Sequence, residues 1–295
     1  MASSTAALLR IPEDVIEDTL TLLHPSDVAH FSQICRWAHD LVYGAPDQYL
    51  WRQLFLMHAF DDLCNTFNLR HTSISTPYNW RDELQRRVRA ELIALNIKHR
   101  LDEHHFALDT IVSVIGSAAP VQSGSEYKPS NSLKWVTRIL RDSRILDAVP
   151  NNQIISRIRT YLALSLDGAA TVGLDSIRNW SRCRVYSLRA YGRDNHYGPY
   201  LVGGQVDWVQ VETLVNVIQI NLMELPDVWR DTRPSVGLEA TRAYSATGAR
   251  NRAPADWACV EGTWRRIICF MDYRYVLLNS CTTTLETHTK LPTFQ

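Results

Sequence analysis

The chain has 295 residues, 45% of them apolar and 21% charged, an ordinary globular mixture long enough for more than one unit. Its 31 lysines and arginines balance 31 aspartates and glutamates, which argues against a partner held mainly by bulk electrostatics, such as non-specific nucleic acid. No apolar run approaches the roughly 18 residues of a membrane helix, and Glu13 and Asp14 follow the small-residue leader too soon for a secretory signal.

The first elements come in quick succession. Val15, Ile16, Leu20 and Leu23 recur at helical spacing, with Thr19 filling the same face. Pro12 suits a helix start, where its missing N–H removes nothing. Glu13 and Asp14 favour the positive end of the helix dipole. The pattern breaks at His24-Pro25. Ser26 is the expected cap of a second helix, with Asp27 in its first turn and Val28, Phe31, Ile34, Cys35 and Ala38 along one face. After the turn Tyr43-Gly44-Ala45-Pro46, a third pattern brings Leu50, Trp51, Leu54 and Phe55 together. Three helices in about fifty residues cannot bury all of that surface, and a unit this small is marginal alone. It reads either as the first part of a larger helical core or as a module completed by a partner.

The order Leu9-x-x-Pro12-Glu13-Asp14-Val15-Ile16, then Leu20-x-x-Leu23, Ser26-Asp27-Val28, Cys35-Arg36-Trp37 and Leu50-Trp51-Arg52, resembles an F-box. The family pattern runs Leu-Pro-x-Glu-Leu, an Ile-Leu helix, Asp-Leu, Val-Cys-Arg-x-Trp and Leu-Trp. Here Ile11 stands in the usual leucine's place, and Trp37 follows Arg36 directly; neither change alters the apolar class. The likeness spans residues 8–56, and its strength lies in order and spacing together, not in any single element.

The resemblance implies a three-helix docking unit for the Skp adaptor of SCF-type ubiquitin ligases. The adaptor would join it to a cullin, while the rest of the chain presents a protein substrate. Carried over by position, the implied partner-binding residues are Ile11, Pro12, Val15, Ile16, Leu20, Leu23, Val28, Phe31, Leu50 and Trp51. Apolar helix-face anchors filling a partner's groove are a common recognition mode, and each of these residues also reads as plain core. The implied function is that of a substrate receptor. The alternatives are an F-box scaffold or decoy without a role in ubiquitin transfer, and a stand-alone α-helical RNA- or protein-binding module.

Residues 57–229 read as a mainly helical middle region. Asn79 is the expected cap of a helix with a stripe of Trp80, Leu84, Val88, Leu92 and Leu95. Its other face holds Arg81, Arg86, Arg87, Arg89, Lys98 and Arg100, but Asp82, Glu83 and Glu91 are mixed in, so a solvated face is expected rather than an RNA surface. Leu108, Ile111, Val112 and Ile115 suggest another helix, and residues 116–132 a flexible loop. Further helices fit residues 133–140 and 154–166, and Trp208, Val211, Val215, Ile218 and Leu222 make one more helical face.

Residues 180–208 interleave Tyr186, Tyr191, Tyr197 and Tyr200 with Arg189, Arg193, Asp194, Asn195 and His196. They could line a recognition surface; an ordered loop packing its aromatics on the helices is the favoured reading. This segment and residues 256–278 resemble stretches of long fungal F-box proteins. Residues 230–255 read as a flexible linker. Residues 263–278 suit two strands, giving a short, partial β-rich segment over 256–295 that is cut short relative to those proteins. No repeat period is present.

Signs of catalysis are lacking. His99, Asp102, Glu103, His104 and His105 form the cluster nearest to a metal site, but adjacent histidines point to different helix faces. There is no H-E-x-x-H, no G-x-S-x-G, no G-x-x-x-x-G-K and no dinucleotide fingerprint. The six cysteines, Cys35, Cys64, Cys183, Cys259, Cys269 and Cys281, form no C-x-x-C pair, so reduced thiols in a cytosolic or nuclear compartment are expected. Cys35, on an apolar face with no base beside it, reads as an inert thiol. The expectation is a mainly α protein that binds other proteins, with no catalytic residue, cofactor or metal and no membrane contact.

Overall fold

The computed structural model describes residues 11–45, 47–58, 60–62, 78–96, 101–119, 128–147, 153–166 and 171–245. Among these the chain is mainly α-helical, with eleven α-helices and a single isolated β-bridge. The expected β-rich segment over 256–295 lies outside the described residues. The chain divides into two compact units. The first runs to Leu162 and takes the chain back from Ser235; the second includes Ala163–Pro234. The stretch expected as one middle region, 57–229, is thereby shared between them.

The first unit opens with α1 (Glu13–Thr21), α2 (Pro25–Ser32), α3 (Arg36–Tyr43) and α4 (Tyr49–Met57). The Pro12 carbonyl accepts from the N–H groups of Val15 and Ile16, so α1 begins where the sequence places it. The cap of α2 is His24 rather than Ser26: its Nδ1 accepts from the Ser26 N–H at 3.2 Å, with Pro25 at the first helical position. The pattern expected as one second helix is two. The Ser32 hydroxyl bonds back to the Ala29 carbonyl at 2.7 Å, and Gln33 and Ile34 close on carbonyls three residues back. Cys35 then adopts extended backbone at φ −160° and starts α3. Residues 13–57 thus hold four short helices instead of the three implied.

α1 packs on α4, and α2 on α3. Ile16, Leu20, Val28, Ala38, Val42, Leu50, Trp51, Leu54 and Phe55 are buried. The Trp51 indole N–H finds the Val42 carbonyl at 3.1 Å, so its one polar atom is satisfied inside.

α5 (Trp80–Leu95), α6 (Leu101–Gly116), α7 (Asn131–Asp142), α8 (Gln153–Leu162) and α11 (Leu238–Ser245) complete the first unit. Asn79 caps α5 as expected, its Oδ1 accepting from the Asp82 N–H at 3.2 Å. The buried face departs from the expected stripe. Trp80, Leu84, Arg87, Ala90, Ile93 and Ala94 are inside, while Leu92 and Leu95 are exposed. Arg87, expected on the solvated face, is fully buried. Its guanidinium lies 4.7 Å from the ring centres of both Phe55 and Phe60, and its Nε donates to Glu83 Oε1 at 2.7 Å. A flat, weakly hydrated cation can occupy such an aromatic slot when its charge is met.

Glu83 also takes two bonds from Arg86, at 2.8 and 3.0 Å. Burial alone would raise the Glu83 carboxyl; the Arg86 hydrogen bond and the charges of Arg87 and Arg86 outweigh it and hold the group below its ordinary value. The resulting stability is present above the unfolded carboxylate's range, about 4.3, and is lost as pH falls through the lower folded value. Glu83→Gln should therefore flatten the acid limb of a melting-temperature profile below about pH 4. An unchanged acid limb would refute that role.

Of the expected loop over 116–132, Gly116 ends α6 and Asn131 and Ser132 open α7, while residues 120–127 lie outside the described residues. Asn131 and Ser132 are helical, and the Ser130 Oγ caps the helix by accepting from the Leu133 N–H at 3.1 Å. Asp61 clips this end in place. It accepts from the Asn131 N–H at 2.8 Å, the Ala119 N–H at 3.0 Å and the Ser130 hydroxyl. α11 falls inside the expected linker over 230–255, where its buried Arg242 donates to the carbonyls of Ala119 and Lys128. Glu239 accepts from the Ser130 N–H at 2.8 Å. α8 ends four residues earlier than expected, because Ala163 and Leu164 take the left-handed region at φ 46° and 62°.

In the second unit α9 (Thr171–Val185) packs on α10 (Trp208–Met223). The buried face of α10 holds Val209, Gln210, Glu212, Thr213, Asn216, Val217, Ile220 and Leu222, so of the expected face of Trp208, Val211, Val215, Ile218 and Leu222 only Leu222 is buried. The interface is partly polar: Asn216 Nδ2 donates to Ser181 Oγ at 3.4 Å, and Arg184 Nε to Gln210 Oε1 at 3.1 Å.

Candidate docking surface

α1–α4 separate the ten implied contact residues into two groups. Ile16, Leu20, Val28, Leu50 and Trp51 are buried and make the inner core of the four helices. Ile11, Pro12, Val15 and Leu23 face outward, and Phe31 is half-buried. Val15 is 52% exposed although it sits on a helix full of apolar residues. Leu22 and Ile34 are more exposed still, at 72% and 63%. Neither belongs to the implied contact set. Leu22 is the residue that ends α1, and Ile34 stands in the break between α2 and α3. An apolar residue at a helix end, where the chain turns and no inward face exists, is the signal that finds them.

α1 also carries charge. Glu13, Asp14, Glu17 and Asp18 lie on it, and burial, followed by the charges of Asp47, Asp14 and Asp18, holds the Glu17 carboxyl above its usual range. Trp37 Nε1 donates to Glu13 Oε1 at 3.1 Å, tying the start of α3 to the start of α1. The far end of α4 is fixed by an edge-on contact between His58 and His24, 4.8 Å apart. Burial, then the neighbouring His24, lowers the His58 imidazole, so the neutral ring is the favoured form.

The other groups singled out in the sequence do not assemble into sites. Of the basic α5 face, Arg87 is buried, Arg86 is paired with Glu83, and Arg89 lies 4.8 Å over the Phe106 ring. Lys98, Arg100 and His99 lie outside the described residues. His104 is buried and His105 half-buried. Among the described residues no group of three or more His, Cys, Asp or Glu could hold a metal ion. Nor is any described helix long and apolar enough to cross a membrane. Cys35 is half-buried at the start of α3, without a capping bond from its side chain.

Comparison with known proteins found no matching family model, no matching curated protein and no matching solved structure. What this chain does is therefore carried by its own residues.

Proposed function

We propose that residues 11–57 dock an adaptor of the Skp type and that the chain is a substrate-receptor subunit of an SCF-type ubiquitin ligase. The observation that carries this reading is the apolar surplus outside a core that is already closed. Ile11, Val15, Leu22, Leu23 and Ile34 stay exposed while Ile16, Leu20, Val28, Leu50 and Trp51 fill the interior. An exposed apolar patch is the mark of an interaction surface, and these five exposed side chains all come from residues 11–34. The order of residues from Leu9 to Arg52 supports the same reading. In it, the adaptor links the chain to a cullin, the remainder holds the protein substrate, and the chain itself performs no catalysis. The acidic side chains of α1 call for basic groups at the rim of the adaptor's groove.

The outward residues make the test clean. Val15→Asp with Leu23→Asp places two carboxylates on the surface and leaves the inner core whole. The doubly substituted chain should keep its helical circular dichroism and lose at least a hundredfold in affinity for purified Skp adaptor, measured by titration calorimetry against the native chain. Leu20→Asp is the wrong probe, because Leu20 is 2% exposed and the variant would unfold the unit itself. Absence of binding by the native chain, or undiminished binding by the double variant, overturns the proposal.

A further inference from the structure

The cap that joins α9 to α10 in the second unit offers apolar side chains and unbalanced positive charge together. Leu188 is 87% and Val202 83% exposed, and Tyr197, Tyr200 and Val206 also face outward. This stretch is held in shape. The Tyr191 hydroxyl donates to the Val185 carbonyl at 2.9 Å and accepts from Gln210 Nε2 at 3.3 Å. The Tyr197 N–H bonds the Gly192 carbonyl at 2.9 Å, and the Leu201 N–H bonds the Gln205 carbonyl at 2.7 Å. Tyr200 pairs with Val206 in an antiparallel bridge. His196 and Tyr197 sit at φ 54° and 57°, two consecutive non-glycine residues in the left-handed region. Backbone strain of this kind persists where the surroundings over-determine it and gathers at ligand clamps.

The charge is uneven in the same stretch. Residues 180–208 hold four arginines, two aspartates and no lysine. Arg184 and Asp207 satisfy each other at 3.1 Å. That leaves Arg182, Arg189 and Arg193 against Asp194, in a chain whose net charge is zero. Arg189 and Arg193 are exposed.

We propose that this cap is a receptor surface for peptide segments in which acidic groups alternate with aliphatic or aromatic ones. The planar guanidinium fork matches a carboxylate or a phosphate bidentately. The aliphatic Leu188, Val202 and Val206 then take the apolar side chains between the acids. Tyr197 and Tyr200 are flat enough for a base to stack on, but a nucleic acid's phosphates need a denser basic track than Arg182, Arg189 and Arg193 supply. The inference deepens the receptor reading by giving the chemistry of the substrate, yet the binding event needs no adaptor.

A random dodecapeptide display library, panned against the full chain without adaptor, tests it. Enriched sequences should combine Asp or Glu with Leu, Val, Phe or Tyr. A synthetic copy of the strongest one, followed by fluorescence anisotropy, should bind at least tenfold more weakly to R189E/R193E and to V202D. Raising the salt should weaken native binding and leave the arginine variant nearly insensitive. Copies with phosphoserine or glutamate at the acidic positions tell a phosphate ligand from a carboxylate one. The proposal is overturned by a library that enriches nothing or enriches basic sequences, by variants that bind as the native chain does, or by a short single-stranded RNA that displaces the peptide. Calorimetry with the adaptor on the same variants keeps the two failures apart, because residues 188–206 and 11–57 are tested separately.

Discussion

Arg87→Ala should lower the unfolding free energy by about 3–5 kcal/mol, and Arg87→Met by clearly less. The guanidinium stacks on Phe55 and Phe60 and closes an ion pair with Glu83, all inside the first unit. Alanine leaves a cavity between two aromatic rings and removes one of the three hydrogen bonds on Glu83. Methionine refills the slot, and Glu83 keeps both bonds from Arg86, so no carboxylate is left uncompensated. Glu83→Gln acts from the other side by leaving a buried cation without its counter-charge, and it should cost as much as the alanine. Urea unfolding followed by far-UV circular dichroism reads all three. A loss below about 1 kcal/mol for Arg87→Ala would show that the slot adds little beyond filling space.

Asp61→Ala is the second large effect. One carboxylate answers the N–H groups of Ala119 and Asn131 and the Ser130 hydroxyl, in the interior and at the positive end of α7. Its removal orphans three donors together, at about 1–3 kcal/mol each where water cannot reach them. We expect a loss of at least about 3 kcal/mol and a rise in amide hydrogen exchange at Ala119 and Asn131. Asp61→Asn should recover only part, since an amide presents one acceptor oxygen and turns a donor toward the remaining groups. Unchanged exchange at both amides would mean that other groups hold this end of α7.

These two sites mark where sequence reading stops. α4 was legible because Leu50, Trp51, Leu54 and Phe55 crowd one face and all four are buried. α5 was legible as a helix but not in its facing. Successive steps of four residues advance the stripe by about 40° each around the axis, so Trp80, Leu84, Val88 and Leu92 drift toward solvent. The inward turn falls to Arg87, whose formal charge hides a planar group able to lie on rings. On α10, apolar periodicity pointed to the wrong side because the contact with α9 uses Gln210 and Asn216. Nothing near Asp61 announces its role, since its partners lie 58 to 71 residues further along the chain. The candidate surface was half legible. Motif order proposes it, but order cannot separate Leu20, which closes the inner core, from Leu23, which faces out.

The return of α11 to the first unit has a consequence for biosynthesis. The chain leaves that unit at Leu162 and comes back only at Ser235. At ordinary translation rates the interval lasts on the order of 4–15 s. During it α5–α8 stand on the ribosome with the Ala119 and Lys128 carbonyls not yet met by Arg242, and the Ser130 N–H not yet met by Glu239. The inserted second unit is therefore made, and free to fold, before the first unit can close. A nascent chain halted in that window would expose the flank of α6 on which α11 later packs, and would be a natural client for chaperones.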